Sequence, residues 1–124
     1  VSLHVAATPE TKGMCDSGFF GAMKDGATFI NTARGTLVDE TALLEAIGSK
    51  GLRVGTDVYQ NQPGTPDEPF DTPLANHDAV CCSHHCGAST DQAQSAVADE
   101  TVRIVTEFQK TGQFINVVNA LQPA

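Results

Sequence analysis

The sequence predicts an α/β fold, a parallel sheet whose strands are joined by crossover helices. Three observations predict it. Short apolar runs alternate along the chain with segments of helical periodicity. Capping residues and glycine stops punctuate the boundaries between them. Polar residues gather just past the apolar runs, at Asn31-Thr32-Ala33-Arg34-Gly35, at Asp57 and at His84-His85. Open parallel sheets bind ligands beyond the carboxyl ends of their strands, so these residues mark the candidate site.

Leu3 to Val5 is a short first strand, and Thr8-Pro9-Glu10-Thr11 supplies turn chemistry after it. Asp16 or Ser17 caps a short helix carrying Phe19, Phe20 and Met23, which ends near Asp25-Gly26. Ala27 to Ala33 is the second strand. Asp39 caps a second helix with Leu43, Leu44 and Ile47 on one side, and Gly51 sits just past its end. Leu52 to Tyr59 reads as the third strand. The segment from Gln60 to about Asp78 is irregular and carries Pro63, Pro66, Pro69 and Pro73, as a functional or flexible loop does. Ala79 to Ser83 is the fourth strand. Ser89-Thr90-Asp91-Gln92 reads as a capping box with Ser89 at the cap. It opens a long helix with Ala93, Val97, Thr101, Ile104, Val105 and Phe108 on one stripe, stopped by Gly112.

With 124 residues and 40% hydrophobic content the chain can bury one modest core. A net charge of -8 argues against a phosphate-driven nucleic-acid partner and against a polybasic membrane contact. No apolar run approaches the roughly 20 residues that span a bilayer. The chain starts in strand-like residues with no initiating methionine and no secretory signal pattern, which predicts a piece of a longer protein. Four cysteines, two of them adjacent, do not form a disulfide framework and predict a reducing, cytoplasmic location.

Three of the cysteines and two histidines crowd into Cys81-Cys82-Ser83-His84-His85-Cys86. The cluster invites a zinc reading, but no C-x-x-C spacing or second ligand pair completes it. No metal is expected, and the strand cysteines are expected to pack into the interior, where free cysteine usually resides.

The ordered motifs His4-Val5-Ala6-Ala7-Thr8-Pro9-Glu10-Thr11-Lys12-Gly13, Met23-Lys24-Asp25-Gly26-Ala27, Asn31-Thr32-Ala33-Arg34-Gly35, Val38-Asp39-Glu40, Asp57-Val58-Tyr59 and His85-Cys86-Gly87-Ala88-Ser89-Thr90 resemble the D-isomer-specific 2-hydroxyacid dehydrogenases. Asn116-Val117-Val118-Asn119 is similar to the tail of the phosphoglycerate dehydrogenase branch. The resemblance implies a Rossmann-like fold. Residues 1–88 would be the nicotinamide-side half of the NAD-binding domain, and residues 89–124 the return helix and tail toward a substrate domain. It implies NAD as cofactor and a small 2-hydroxy or 2-oxo acid as substrate, most simply a D-3-phosphoglycerate-like one of serine biosynthesis. A homodimer or tetramer is implied for the full-length protein. No G-x-G-x-x-G lies in this chain, so the phosphate loop is expected to precede it.

The same resemblance assigns roles. Arg34 matches the arginine whose planar fork holds the substrate carboxylate and polarises its carbonyl. His85, rather than His84, matches the acid/base that protonates the carbonyl oxygen; the family reads Pro-His-x-Gly here, and His84 stands in place of the proline. Asp57 matches the acceptor for the nicotinamide carboxamide. Val5, Thr32, Ala33, Arg34, His85, Cys86, Gly87 and Ala88 match other cofactor-contacting positions. The departure is Gln62, where the family has an acid before proline. A glutamine orients the imidazole but carries no charge to favour imidazolium, which predicts weaker 2-oxo acid reduction at neutral pH. Formate dehydrogenases of the same superfamily carry Gln there, and Glu68-Pro69 repeats the acid-proline pair in a shifted register. The alternatives are therefore a formate dehydrogenase, an NAD(H)-sensing protein of the corepressor type, or a fragment that does not bind cofactor alone.

Overall fold

A computed structural model describes residues 1–65 and 70–118. Pro66, Glu68, Pro69 and Asn119 lie outside the described residues. The chain divides into two compact units, Val1–Gly87 and Ala88–Ala124.

The first unit is a parallel four-stranded sheet with its strands in sequence order: β1 (Ser2–Leu3), β2 (Thr28–Asn31), β3 (Arg53–Thr56) and β4 (Val80–Cys82). Helix α1 (Ser17–Ala22) joins β1 to β2, and α2 (Glu40–Lys50) joins β2 to β3. The link from β3 to β4 contains no helix among the described residues.

The caps are those the sequence expects. The Asp16 carboxylate accepts from the Phe19 amide at 2.9 Å. Asp39 accepts from Thr41 and Ala42 at 3.0 and 3.1 Å, filling two of the amides that open α2. Gly51 ends α2 in the left-handed conformation, φ 64°. Replacing Asp39 with alanine is expected to cost about 1 kcal/mol, read as a lowered urea midpoint with an unchanged m-value.

The core lies between the sheet and these helices. Phe20, Phe29, Leu37, Leu43, Leu52 and Cys15 are its fully buried side chains. Phe19, Phe20 and Phe29 meet edge to face, with ring centroids 5.2 to 6.1 Å apart. A 3-10 turn at Gly35–Leu37, which periodicity did not foretell, drives Leu37 into this core.

The strand cysteines overturn one expectation. Cys81 and Cys82 are exposed, and so is Cys86; only Cys15 is buried. The reason is position, since β4 is a three-residue edge strand of which only Val80 packs against the core. All four cysteines are free.

The second unit is α3 (Asp91–Thr111), ended at Gly112. Its N-cap is Thr90 rather than Ser89: the Thr90 hydroxyl accepts from the Ala93 amide at 3.2 Å. That one-residue shift moves Gln92 out of the third helical position, so the expected capping box does not form. The apolar stripe of α3 is present, yet none of its residues is buried; Val97, Val105 and Phe108 are all exposed. None of the described helices is long and apolar enough to cross a membrane.

Candidate functional site

The carboxyl ends of β2, β3 and β4 are stitched together past the regular ladder. Asp57 N donates to Asn31 O at 3.1 Å, and Ser83 N donates to Thr56 O at 3.0 Å. The buried Thr56 hydroxyl donates to Val58 O at 2.7 Å. Each strand therefore hands its next residues to a common edge.

At the end of β2, the buried Asn31 side chain closes the turn that carries Arg34. Its Oδ1 accepts from the Ala33 amide at 3.1 Å, and its Nδ2 donates to Arg34 O at 3.0 Å. Gly35 follows where the chain runs against β3's continuation: a Cβ there would lie 1.9 Å from both Tyr59 C and Tyr59 O. Arg34 itself is exposed and donates from Nη1 to Ala33 O at 2.6 Å. Among the described residues no carboxylate pairs with it. An arginine so placed keeps its remaining donors for an anion.

At the end of β3, Asp57 is buried, 5% exposed. Its Oδ1 accepts from Ser83 Oγ at 2.5 Å and from Cys86 N at 3.0 Å, and its Oδ2 accepts from Gly87 N at 2.8 Å. Burial alone would push its pKa up. The hydrogen bonds from Ser83, Gly87 and Cys86, with the nearby His85, outweigh that and hold the carboxyl below the usual range. A depressed pKa stabilises the fold above the ordinary carboxylate range, and this contribution is lost as pH falls through the lowered value. Tyr59 is pushed the other way by burial and Cys82, and its hydroxyl donates to Ser83 O at 3.2 Å.

Past β4, His85 sits in the left-handed region with φ 61°. Gln62 Nε2 stands 2.9 Å from His85 Nδ1. The glutamine is thus the described partner of the imidazole, and Glu68 lies outside the described residues. His84 is exposed, and nothing in the structure explains its presence in place of proline.

Two hollows meet at Arg34. One, of about 250 Å³, is lined by Arg34, Gln62 and His85 together with Gly35, Tyr59 and Pro63 among others. The other, of about 490 Å³, is lined by Val5, Thr32, Ala33 and Arg34 with Leu3, His4, Ala6 and Ala7. The residues expected to do chemistry thus share the first, and four of those expected to hold cofactor share the second. Cys86 and Gly87 reach neither lining and face Asp57 through their amides. Ala88 opens the second unit. Among the described residues no group of three His, Cys, Asp or Glu side chains is placed to hold a metal ion. Sequence reasoning placed Asn31 at the strand end that marks the site but gave its side chain no task, and it missed Ser83; a buried Asn inside a turn motif is itself a signal for a side chain that replaces backbone hydrogen bonds.

The sequence model of the D-isomer specific 2-hydroxyacid dehydrogenase, NAD binding domain, matches residues 1–87. D-3-phosphoglycerate dehydrogenase of Escherichia coli (strain K12) is 38% identical over 120 residues, covering 96% of this chain and 29% of that protein. D-3-phosphoglycerate dehydrogenase 1 of Saccharomyces cerevisiae is 34% identical over 128 residues, covering 96% of this chain and 27% of that protein. The chain thus spans less than a third of these relatives' length. Among solved structures, D-lactate dehydrogenase with NAD+ from Lactobacillus jensenii superposes with a TM-score of 0.82 at 26% identity, over 96% of this chain and 39% of that one. NAD-dependent formate dehydrogenase from Staphylococcus aureus, in complex with NAD, gives 0.74 at 29% identity, over 96% and 36%. A parallel sheet, a matching domain model and relatives at this identity lead to one assignment: the chain belongs to the D-isomer-specific 2-hydroxyacid dehydrogenase family, with residues 1–87 matching its NAD-binding domain.

Proposed function

We propose that the full-length protein is an NAD-dependent oxidoreductase acting on a small D-2-hydroxy acid, most simply one like D-3-phosphoglycerate. The observation that carries this reading is the hollow shared by Arg34, Gln62 and His85. Its size suits a small acid rather than a polymer, and its charge inventory suits a 2-oxo carboxylate. Arg34 binds the carboxylate through its planar fork and draws charge toward the carbonyl oxygen. His85 holds the proton destined for that oxygen at Nε2, while Gln62 fixes the ring through Nδ1.

The hollow lined by Val5, Thr32, Ala33 and Arg34 fits the nicotinamide half of the cofactor, being open, of ligand size, and part apolar and part polar. Asp57 keeps one acceptor position on Oδ2 for the carboxamide, and His85, Cys86, Gly87 and Ala88 complete the set that would hold NAD. Bound NADH supplies the hydride. A homodimer or tetramer in the cytoplasm completes the reading; light scattering on the full-length protein tests the assembly.

A second reading rests on Gln62. The amide beside His85 carries no charge, and the formate dehydrogenase neighbour is 29% identical beside 26% for the lactate one, though it superposes less closely. Formate oxidation moves a hydride and needs no proton relay, so an uncharged partner serves it. NADH oxidation with 3-phosphohydroxypyruvate, hydroxypyruvate and glyoxylate, run beside NAD reduction with formate, separates the two. Tight NADH binding without turnover of any of them would instead favour a sensor.

The Gln62→Glu variant tests the site from within. A carboxylate at 2.9 Å from Nδ1 favours imidazolium, so the alkaline limb of the reduction profile should move up by about one to three pH units. Superimposable profiles for variant and parent would remove Gln62 from the site.

A further inference from the structure

The Asp57 carboxylate already has an occupation within the protein. Its three hydrogen-bond donors come from residues 26, 29 and 30 positions away, and all belong to the turn that carries His85. That turn needs holding. His85 at φ 61° sits in the left-handed region, disfavoured for a non-glycine residue, and such a conformation persists only where its surroundings over-determine it. Ser83 clamps the turn on one side of His85, and Cys86 and Gly87 clamp it on the other. Gly87 suits this docking: a Cβ there would lie 2.9 Å from the same Asp57 Oδ2, so a larger residue would push the carboxylate aside. The Tyr59 hydroxyl donates to the Ser83 carbonyl at 3.2 Å, a further tie on the same turn.

We propose that Asp57 is the positioning residue of His85: its buried carboxylate clasps the 83–87 turn and thereby sets the histidine beside Gln62 and facing Arg34. Contact with a carboxamide, where it occurs, uses the one acceptor position that the clasp leaves. Only the turnover arm of the test rests on the dehydrogenase reading.

Two variants of the full-length protein test it. Asp57→Asn keeps an oxygen for Ser83 and Cys86 but turns an amide donor toward the Gly87 N–H. Ser83→Ala removes one clasp and touches neither hollow. In hydrogen-exchange mass spectrometry, both should speed exchange in the peptide containing residues 83–87 and leave the β2 peptide unchanged. With saturating NADH, kcat should fall by about 10- to 100-fold in Asp57→Asn, as expected when a reacting group loses its alignment. A smaller fall is expected in Ser83→Ala, and NADH Kd should stay within about twofold of the parent in that variant. Unchanged exchange in both variants overturns the proposal. So does a Ser83→Ala protein with parental kcat, and so does an Asp57→Asn protein that loses NADH affinity while keeping kcat. If no substrate is turned over by the parent, the dehydrogenase reading fails and the exchange result alone decides the clasp.

Discussion

Gly35→Ala is expected to destabilise the first unit by more than about 4 kcal/mol, a size reached only by severe core disruption. The added methyl would lie 1.9 Å from Tyr59 C and O and 2.5 Å from Gln60 N. All three are backbone atoms, so no rotamer change relieves the overlap. Neither partner can retreat cheaply. Gly35 opens the 3-10 turn, whose Leu37 is fully buried, and Val38 N donates back to Gly35 O at 3.0 Å. On the other side Val58 and Tyr59 are buried, and the Tyr59 ring packs on Phe70. Separation must therefore pull Leu37 from the core or lift the end of β3, and both routes displace Arg34 or the turn behind Asp57. Urea unfolding of the variant should show a sharply lowered midpoint, or the protein should fail to accumulate in soluble form. Stability within about 1 kcal/mol of the parent, the ordinary effect of a point change, would mean that the two segments are not in contact.

That close approach also shows where the sequence was readable and where it was not. Element order was legible because each boundary carries local chemistry. Asp16 and Asp39 cap within three residues of themselves, and Gly51 ends its own helix. The strands came out shorter than their apolar runs because the last residues of each run leave the ladder to build the site. Ala33, inside the expected second strand, is in fact held by Asn31 in a turn. The N-cap shift from Ser89 to Thr90 is a choice between adjacent hydroxyls that periodicity cannot resolve. The cysteines were misread because burial preference is an average over proteins, whereas exposure here follows from an edge strand of three residues.

The site was half legible. The family resemblance carried Arg34, Gln62 and His85 to one place, and they line one hollow although Gln62 and His85 are 23 residues apart. No local pattern reports that Ser83 and Gly87 converge on Asp57, because those contacts arise only when β3 and β4 pair. The Gly35 contact belongs to the same class, since it depends on the register of β2 against β3.

The last expected result concerns His85. Among the side chains lining the smaller hollow, the Tyr59 phenol is pushed above its usual range by burial and by Cys82. Gln62 has no proton to give. In the proposed reaction the proton comes from His85. The informative variant is His85→Asn rather than His85→Ala, because asparagine enters the left-handed region readily and alanine does not. The turn clasped by Asp57 then survives, and loss of the proton donor is read alone. For 2-oxo acid reduction at saturating NADH, kcat should fall by about 10²- to 10⁴-fold, the usual contribution of a positioned acid. Parental kcat in the variant would deny His85 the proton step. Formate supplies the contrast: its oxidation transfers a hydride from carbon and leaves no oxygen to protonate. If formate is the substrate, the same variant should retain far more of its turnover, and the ratio of the two losses measures how much of the work at this site is proton transfer.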